Sequence, residues 1–202
     1  MPAGCIWHAQ AVDREIPGGA LHAASLSFHP SRMITIRATS DGDAELLPEI
    51  ERNSGTLFRD WAGLEWIADD RVQSPEQHRT IVSTGVSLVA EDHAHRIVGF
   101  LNGEMAPDAL HIHQVAVHPG HQRQGIGRRL IERAQEIAAE HGVNVLTLTT
   151  FRDVPWNQPY YLGLGFETMP DAALNARLRA VLDRERAAGL PSKQRCAMIR
   201  RL

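Results

Sequence analysis

Cysteine is scarce in this 202-residue chain: Cys5 and Cys196 are the only two. That excludes a disulfide framework and a Cys-x-x-Cys metal or redox site. An excess of one charge is also missing. Lys plus Arg number 21 against 24 Asp plus Glu, a formal net charge of -3. A general nucleic-acid or polyanion binder is not expected from that balance, although a local basic patch stays open. No apolar run is long enough to cross a bilayer. Residues 1–10 lack the basic segment and apolar stretch of a signal peptide. A soluble cytoplasmic protein, without membrane or nucleic-acid partners, is the expectation. What is present is globular in composition, with 43% hydrophobic and 22% charged residues. The length suffices for a core without disulfides.

Residues 1–33 contain Pro17, Gly18, Gly19 and Pro30 and hold no sustained period. They read as an irregular or flexible extension ahead of one domain spanning 34–202. Residues 34–38 alternate like a strand. Asp41 or Asp43 could cap a helix through Leu47 and Ile50. The spacing of Trp61, Leu64 and Ile67 predicts more helix over 58–69. Ser74 and Pro75 open another helix, which Gly85 should end. Residues 86–91 and 96–104 form a hairpin, and 110–117 the next strand. A long amphipathic helix carries Ile126, Leu130, Ile131, Ala134 and Ile137. Residues 144–149 are a β-branched strand and 156–162 a short helix. Another strand begins at Phe166. A helix over 172–188 and a strand over 195–202, with Cys196 and Met198 on one face, close the chain. The fold class is α/β (α+β), a mixed and mostly antiparallel sheet with helices on both faces.

The most informative segment runs from Val117 to Leu130. A strand ends, a tight turn follows, and a helix begins among Gly125 and Gly127. Successive free amides at a helix start, here from Gln124 to Arg128, can hold a diphosphate. Arg123, Arg128 and Arg129 add positive charge. A glycine-rich helix start with solvated arginines is the plainer alternative. Gly-x-x-x-x-Gly-Lys-Ser/Thr is absent, so this is no P-loop, and Gly125-Ile-Gly127 alone is no dinucleotide fingerprint.

Gln122-x-x-Gly125-x-Gly127, followed by Tyr161-x-x-x-Gly165-Phe166, resembles the GCN5-related N-acetyltransferase (GNAT) superfamily, in a bacterial small-molecule branch. The resemblance covers about 34–166. It implies a sheet splayed between the fourth and fifth strands, with the coenzyme's pantetheine arm in the wedge. It also implies acetyl transfer from acetyl-CoA to a primary amine of a small molecule, by direct attack in a ternary complex. By position, Val115, Ala116 and Val117 match the strand that pairs with pantetheine. Gln122, Arg123, Gln124, Gly125, Ile126, Gly127 and Arg128 match the diphosphate loop. Tyr161 matches a tyrosine near the coenzyme sulfur. Many relatives carry an asparagine seven residues before that tyrosine. Val154 stands there in this chain, and the nearest asparagine is Asn157, for which coenzyme, acceptor and structural roles stay open.

An ammonium of pKa about 10 must lose a proton before it attacks. The leaving thiolate gains from an acid, the role expected of Tyr161. The base has several candidates. The strand position that holds glutamate in many relatives is His111. Two-residue alternation places His111, His113, Val115 and Val117 on one face, with Gln114 turned away. Glu51, on the first helix, and Glu104 are the carboxylate alternatives. Phe58, Trp61, Trp156 and Tyr160 are candidates for the acceptor pocket, and Arg152 with Asp153 for a loop clamp.

Eleven histidines raise metal binding, but no His-Glu-x-x-His occurs and none is expected. A non-catalytic acyl-CoA-binding or sensory module, and transfer to a protein N-terminus or lysine, are the alternative functions. The last helix and strand could support a homodimer.

Overall fold

The computed structural model describes residues 33–202. The expectation for residues 1–33 falls, save for Met33, outside the described residues.

Among the described residues, seven strands form one sheet in the order β1-β2-β3-β4-β5-β7-β6. They are β1 (Thr35–Ala38), β2 (Val86–Glu91), β3 (Ile97–Met105), β4 (Leu110–Val117), β5 (Val145–Phe151), β6 (Glu167–Thr168) and β7 (Arg195–Arg201). Among the described strand pairs, only β4 and β5 run parallel. The crossover between them is α3 (Ile126–Glu140), as a parallel connection requires. The β2–β3 hairpin forms as its polar turn predicts.

Alternation along the strands assigns the two faces. Leu88, Ala90, Leu101, Val115, Val117, Leu146, Leu148, Cys196 and Met198 pack with Leu130, Ile131 and Ala134 of α3. The intervening Val89, Phe100 and Ala116 meet Leu47 and Ile50 of α1 (Leu47–Gly55). Ala197 meets Leu174 and Leu178, the latter on α5 (Ala176–Ala187). Each such Leu or Ile, fully buried, contributes about 1.5–3 kcal/mol. Helices therefore cover both faces of the sheet.

Local signals act as their chemistry dictates, with three departures. The helix α2 (Pro75–Thr84) begins with a reciprocal cap. Ser74 accepts the Gln77 amide at 3.3 Å, and the Gln77 side chain accepts the Ser74 amide at 2.7 Å. At the chain's first cap the expected roles shift. Ser40 caps a 3-10 turn over Asp41–Glu45, and Asp43 reaches back to the Ser40 amide at 2.7 Å. The segment 58–69 is not one helix but two short 3-10 turns, Thr56–Phe58 and Glu65–Asp69. Gly63, at φ +84°, turns the chain out of helical geometry between them. The last helix starts four residues later than its apolar spacing suggests, with Asn175 as its cap.

Candidate active site

The wedge opens where β4 and β5 part. Their pairing ends at Ile112 with Leu148, while β5 continues along β7 as far as Phe151 with Arg195. The His118 amide donates to the Val98 carbonyl at 2.9 Å. Backbone groups alternate sides along a strand, so those of Val115 and Val117 face the gap and those of Ala116 face β3. The Gln122 side chain donates to the Val117 carbonyl at 3.0 Å and ties the turn to the strand end.

Two left-handed residues shape that turn, Arg123 at φ +60° and Gly125 at φ +74°. Gly125 caps α3, and the Arg129 amide is bonded back to the Gly125 carbonyl at 3.0 Å. The amides of Ile126, Gly127 and Arg128 thus head the helix without intrahelical partners. Nothing lies within 4 Å of where a Gly125 Cβ would stand, so this turn faces open space. Arg123, Gln124 and Arg128 are exposed around it. Arg129 is otherwise engaged, donating to the Ile34 carbonyl at 2.9 Å.

After β5 a loop leads into α4 (Gln158–Gly163), whose Tyr161 packs in the same core cluster as Val115, Val117 and Leu148. Asn157 and Tyr161 are both fully buried. Neither atom of the Asn157 amide and not the Tyr161 hydroxyl has a hydrogen-bond partner, and the buried Thr150 hydroxyl lacks one as well. Such groups cost about 1–3 kcal/mol each when left bare. Buried polar groups of this kind call for a polar partner, and the amides and thioester of acyl-CoA would meet that requirement. Burial first, and Tyr160 second, push the Tyr161 hydroxyl well above its ordinary 10 against an opposing pull from Arg195. Tyr161 is therefore held as an O–H donor.

On the other face of the sheet, β4 departs from simple alternation. Asn102 pairs with Gln114, but Gly103 pairs with Ile112, which leaves His113 as an extra residue. This bulge corrects the expected faces. Ile112 and Val115 both enter the α3-side core. Gln114 instead faces the α1 side with His111, receiving the Gln73 side chain at 2.8 Å. Gly103 allows the close approach, since a Cβ there would sit 2.9 Å from the His111 carbonyl.

The structure sorts the proton-acceptor candidates into two groups. His111 and His113 meet edge to face with ring centroids 5.1 Å apart. His111 Nδ1 lies 3.0 Å from the Thr147 hydroxyl, and burial drives its pKa well below 6.5. His113 Nε2 lies 3.6 Å from Glu104, and Glu104 is held below the usual carboxylate range chiefly by that histidine. Glu51 stands apart from this pair. Its Oε2 accepts the Gln73 amide at 3.1 Å and lies 3.6 Å from His78 Nε2. His78, fully buried on α2, was not signalled by the sequence. Its Nδ1 lies 3.1 Å from Asn102 Nδ2. The amide donates there, which leaves the proton on Nε2, facing Glu51. Asn102 in turn bonds Ser87, and Ser87 bonds Thr39. A lone histidine on a helix offers no spacing that would reveal such a chain.

A shallow cleft opens beside Glu51 and reaches Gln114, with Arg52, Asp70 and Arg71 also lining it. Of the aromatic candidates, Phe58 and Tyr160 are core residues, in separate clusters. Trp61 and Trp156 pack partly buried against the Phe58 cluster. Arg152 clamps the loop by bonding the Arg195 carbonyl at 3.1 Å rather than by pairing with Asp153. Among the described residues, no group of three or more His, Cys, Asp or Glu could hold a metal ion. No helix among them is long and apolar enough to cross a membrane.

A splayed mixed sheet with this glycine turn can be compared with known proteins. Residues 55–166 match the Acetyltransferase (GNAT) family. The chain belongs to the GNAT family. It is 32% identical over 125 residues to the L-2,4-diaminobutyric acid acetyltransferase of Nocardia farcinica (strain IFM 10152). That alignment covers 59% of this chain and 58% of the relative, so the match spans little more than half of either. Among solved structures, it resembles the PaiA N-acetyltransferase of Thermoplasma acidophilum in complex with coenzyme A, with a TM-score of 0.63 at 18% identity. That match covers 84% of this chain and 99% of the other. The N-acetylglutamate synthase of Neisseria gonorrhoeae, complexed with coenzyme A and N-acetyl-glutamate, matches with a TM-score of 0.61 at 22% identity. It covers 84% of this chain and 35% of the synthase. At these identities the two structures speak for the GNAT fold alone.

Proposed function

We propose that this GNAT protein transfers an acetyl group from acetyl-CoA to the primary amine of a small molecule by direct attack in a ternary complex. The observation that carries the reading is the pair of buried, unpartnered groups at α4, the Asn157 amide and the Tyr161 hydroxyl. Bound acetyl-CoA supplies the activated acetyl carbon. The Val115 and Val117 backbone would hold the pantetheine arm. The amides of Ile126, Gly127 and Arg128, with Arg123 and Arg128 nearby, would hold the diphosphate.

The amine nitrogen bonds the acetyl carbon while the carbon–sulfur bond breaks. Tyr161, kept protonated, gives its proton to the departing sulfur. The amine gives up a proton toward the cleft. Glu51 is the group fixed there as acceptor, with His111 and His113 as the second candidate route. The activity of the Nocardia relative, on a diamino acid, supports a small amine acceptor. The bench test is coenzyme thiol release from acetyl-CoA against pooled small amines, together with calorimetric titration of coenzyme A. Binding with thiol release supports the reading. Binding without release from any amine would instead favour a sensory module.

A further inference from the structure

The cleft beside Gln114 is lined by charges of both signs, Glu51 and Asp70 against Arg52 and Arg71. Elsewhere Arg37, Arg96, Arg133, Arg177 and Arg195 each have a carboxylate within 3.1 Å. Arg52 and Arg71 have no side-chain partner among the described residues, and both are exposed at the cleft. Glu51 is fixed. Both of its contacts use Oε2, one from the Gln73 amide and one toward His78. Gln114, also in the lining, is held by the buried Gln73, whose side-chain amide donates to it at 2.8 Å.

An amine bearing only positive charge would match Glu51 and Asp70 and be repelled by the two arginines. An amine that also carries a carboxylate matches both signs. Gln114 directly precedes Val115 at the wedge, so the reacting amine belongs at the Glu51–Gln114 end. The exposed arginines then meet the other end of the molecule.

We propose that the acceptor is amino-acid-like, a primary amine and a carboxylate on one small molecule, with Arg52 and Arg71 reading the carboxylate. This rests on the acetyl-transfer reading above and adds its substrate class. The carboxylate takes no part in the bond exchange. It sets which amines are presented to the wedge.

The test compares acceptors that differ only by that carboxylate, using acetyl-CoA and thiol release: 2,4-diaminobutyrate with 1,3-diaminopropane, ornithine with 1,4-diaminobutane, and lysine with 1,5-diaminopentane. The carboxylated member of at least one pair should show kcat/KM at least ~10-fold higher, as a charge-assisted Arg–carboxylate contact gives. The double variant Arg52→Ala, Arg71→Ala should erase that preference while the dissociation constant for acetyl-CoA stays within twofold. Decarboxylated amines used as well or better, or a preference that survives the double variant, overturns the proposal. Coenzyme binding with no thiol released from any pair also overturns this acceptor class. Absence of coenzyme binding in the same titration marks failure of the acetyl-transfer reading itself.

Discussion

Ile112 and Val115 lie on the same face of β4 although three positions separate them. The extra residue His113 produces that relationship. It keeps both apolar side chains against α3 and brings Gln114 to the opposite face, beside Glu51 and the cleft. One inserted residue thus lets a single strand serve the proposed coenzyme gap with its backbone and the proposed acceptor cleft with its side chains.

Gly103 faces this bulge, so its replacement tests the local geometry. Gly103→Ala places a Cβ 2.9 Å from the His111 carbonyl and 3.2 Å from Leu110. Overpacking of this kind costs about 1–3 kcal/mol. Urea unfolding should show the midpoint fall by a corresponding amount, with the amine KM rising. An unchanged midpoint contradicts the close approach.

Tyr161→Phe removes a hydroxyl that has no partner in the fold. Stability should hold or rise, since no hydrogen bond is lost and a buried polar group is removed. Turnover should drop ~100-fold or more, the lower range for a general acid, with coenzyme affinity nearly intact. Thermal unfolding, calorimetry and steady-state rates check the three parts. Equal turnover rejects the acid assignment.

Glu51→Gln keeps an acceptor for the Gln73 amide but not the charge. If Glu51 receives the amine's proton, kcat/KM at neutral pH should fall by ~100-fold. Rate should then recover as pH rises and the amine deprotonates unaided. A variant with the wild-type pH profile moves the role to His111 and His113.

His111 makes stability depend on pH in a stated direction. Burial holds its folded pKa well below 6.5, while in the unfolded chain it titrates near ~6.5. Below that pH the unfolded state binds a proton that the folded state refuses, so stability falls on acidification and is unaffected above. Asp43 and Asp92, both held to about 2 by Arg37 and Arg96 respectively, keep their contribution until roughly pH 4. The unfolding temperature of His111→Gln should therefore be flatter than that of the wild type between roughly pH 6.5 and 5. Parallel curves contradict the assignment.

The sheet, the hairpin, the long helix after the glycines and the last strand were legible because apolar spacing and caps act locally. Ser74 with Gln77 is one such signal, and Gly125 before α3 is another. The segment 58–69 misled because its apolar spacing is helical while Gly63 breaks the backbone. The bulge at His113 escaped because it depends on register with β3, and β4 read alone is an unbroken strand. The Glu51–His78 contact escaped for a similar reason. It joins two helices, and nothing in either helix announces the other. The glycine turn before α3 was the most readable part of the candidate site, since Gly125 answers a left-handed backbone requirement there.

The central claim is that the turn through Gly125, at the mouth of the β4–β5 gap, holds a coenzyme's diphosphate. Calorimetric titration of coenzyme A tests it most directly, against the wild type, Gly125→Asn and Gly125→Trp. Asparagine tolerates the left-handed backbone and controls for strain, while tryptophan fills the open space in front of the turn. The account predicts saturable one-to-one binding by the wild type, with the tryptophan variant weaker by at least ~10-fold than the asparagine variant. Absence of binding by the wild type, or equal binding by the two variants, contradicts it.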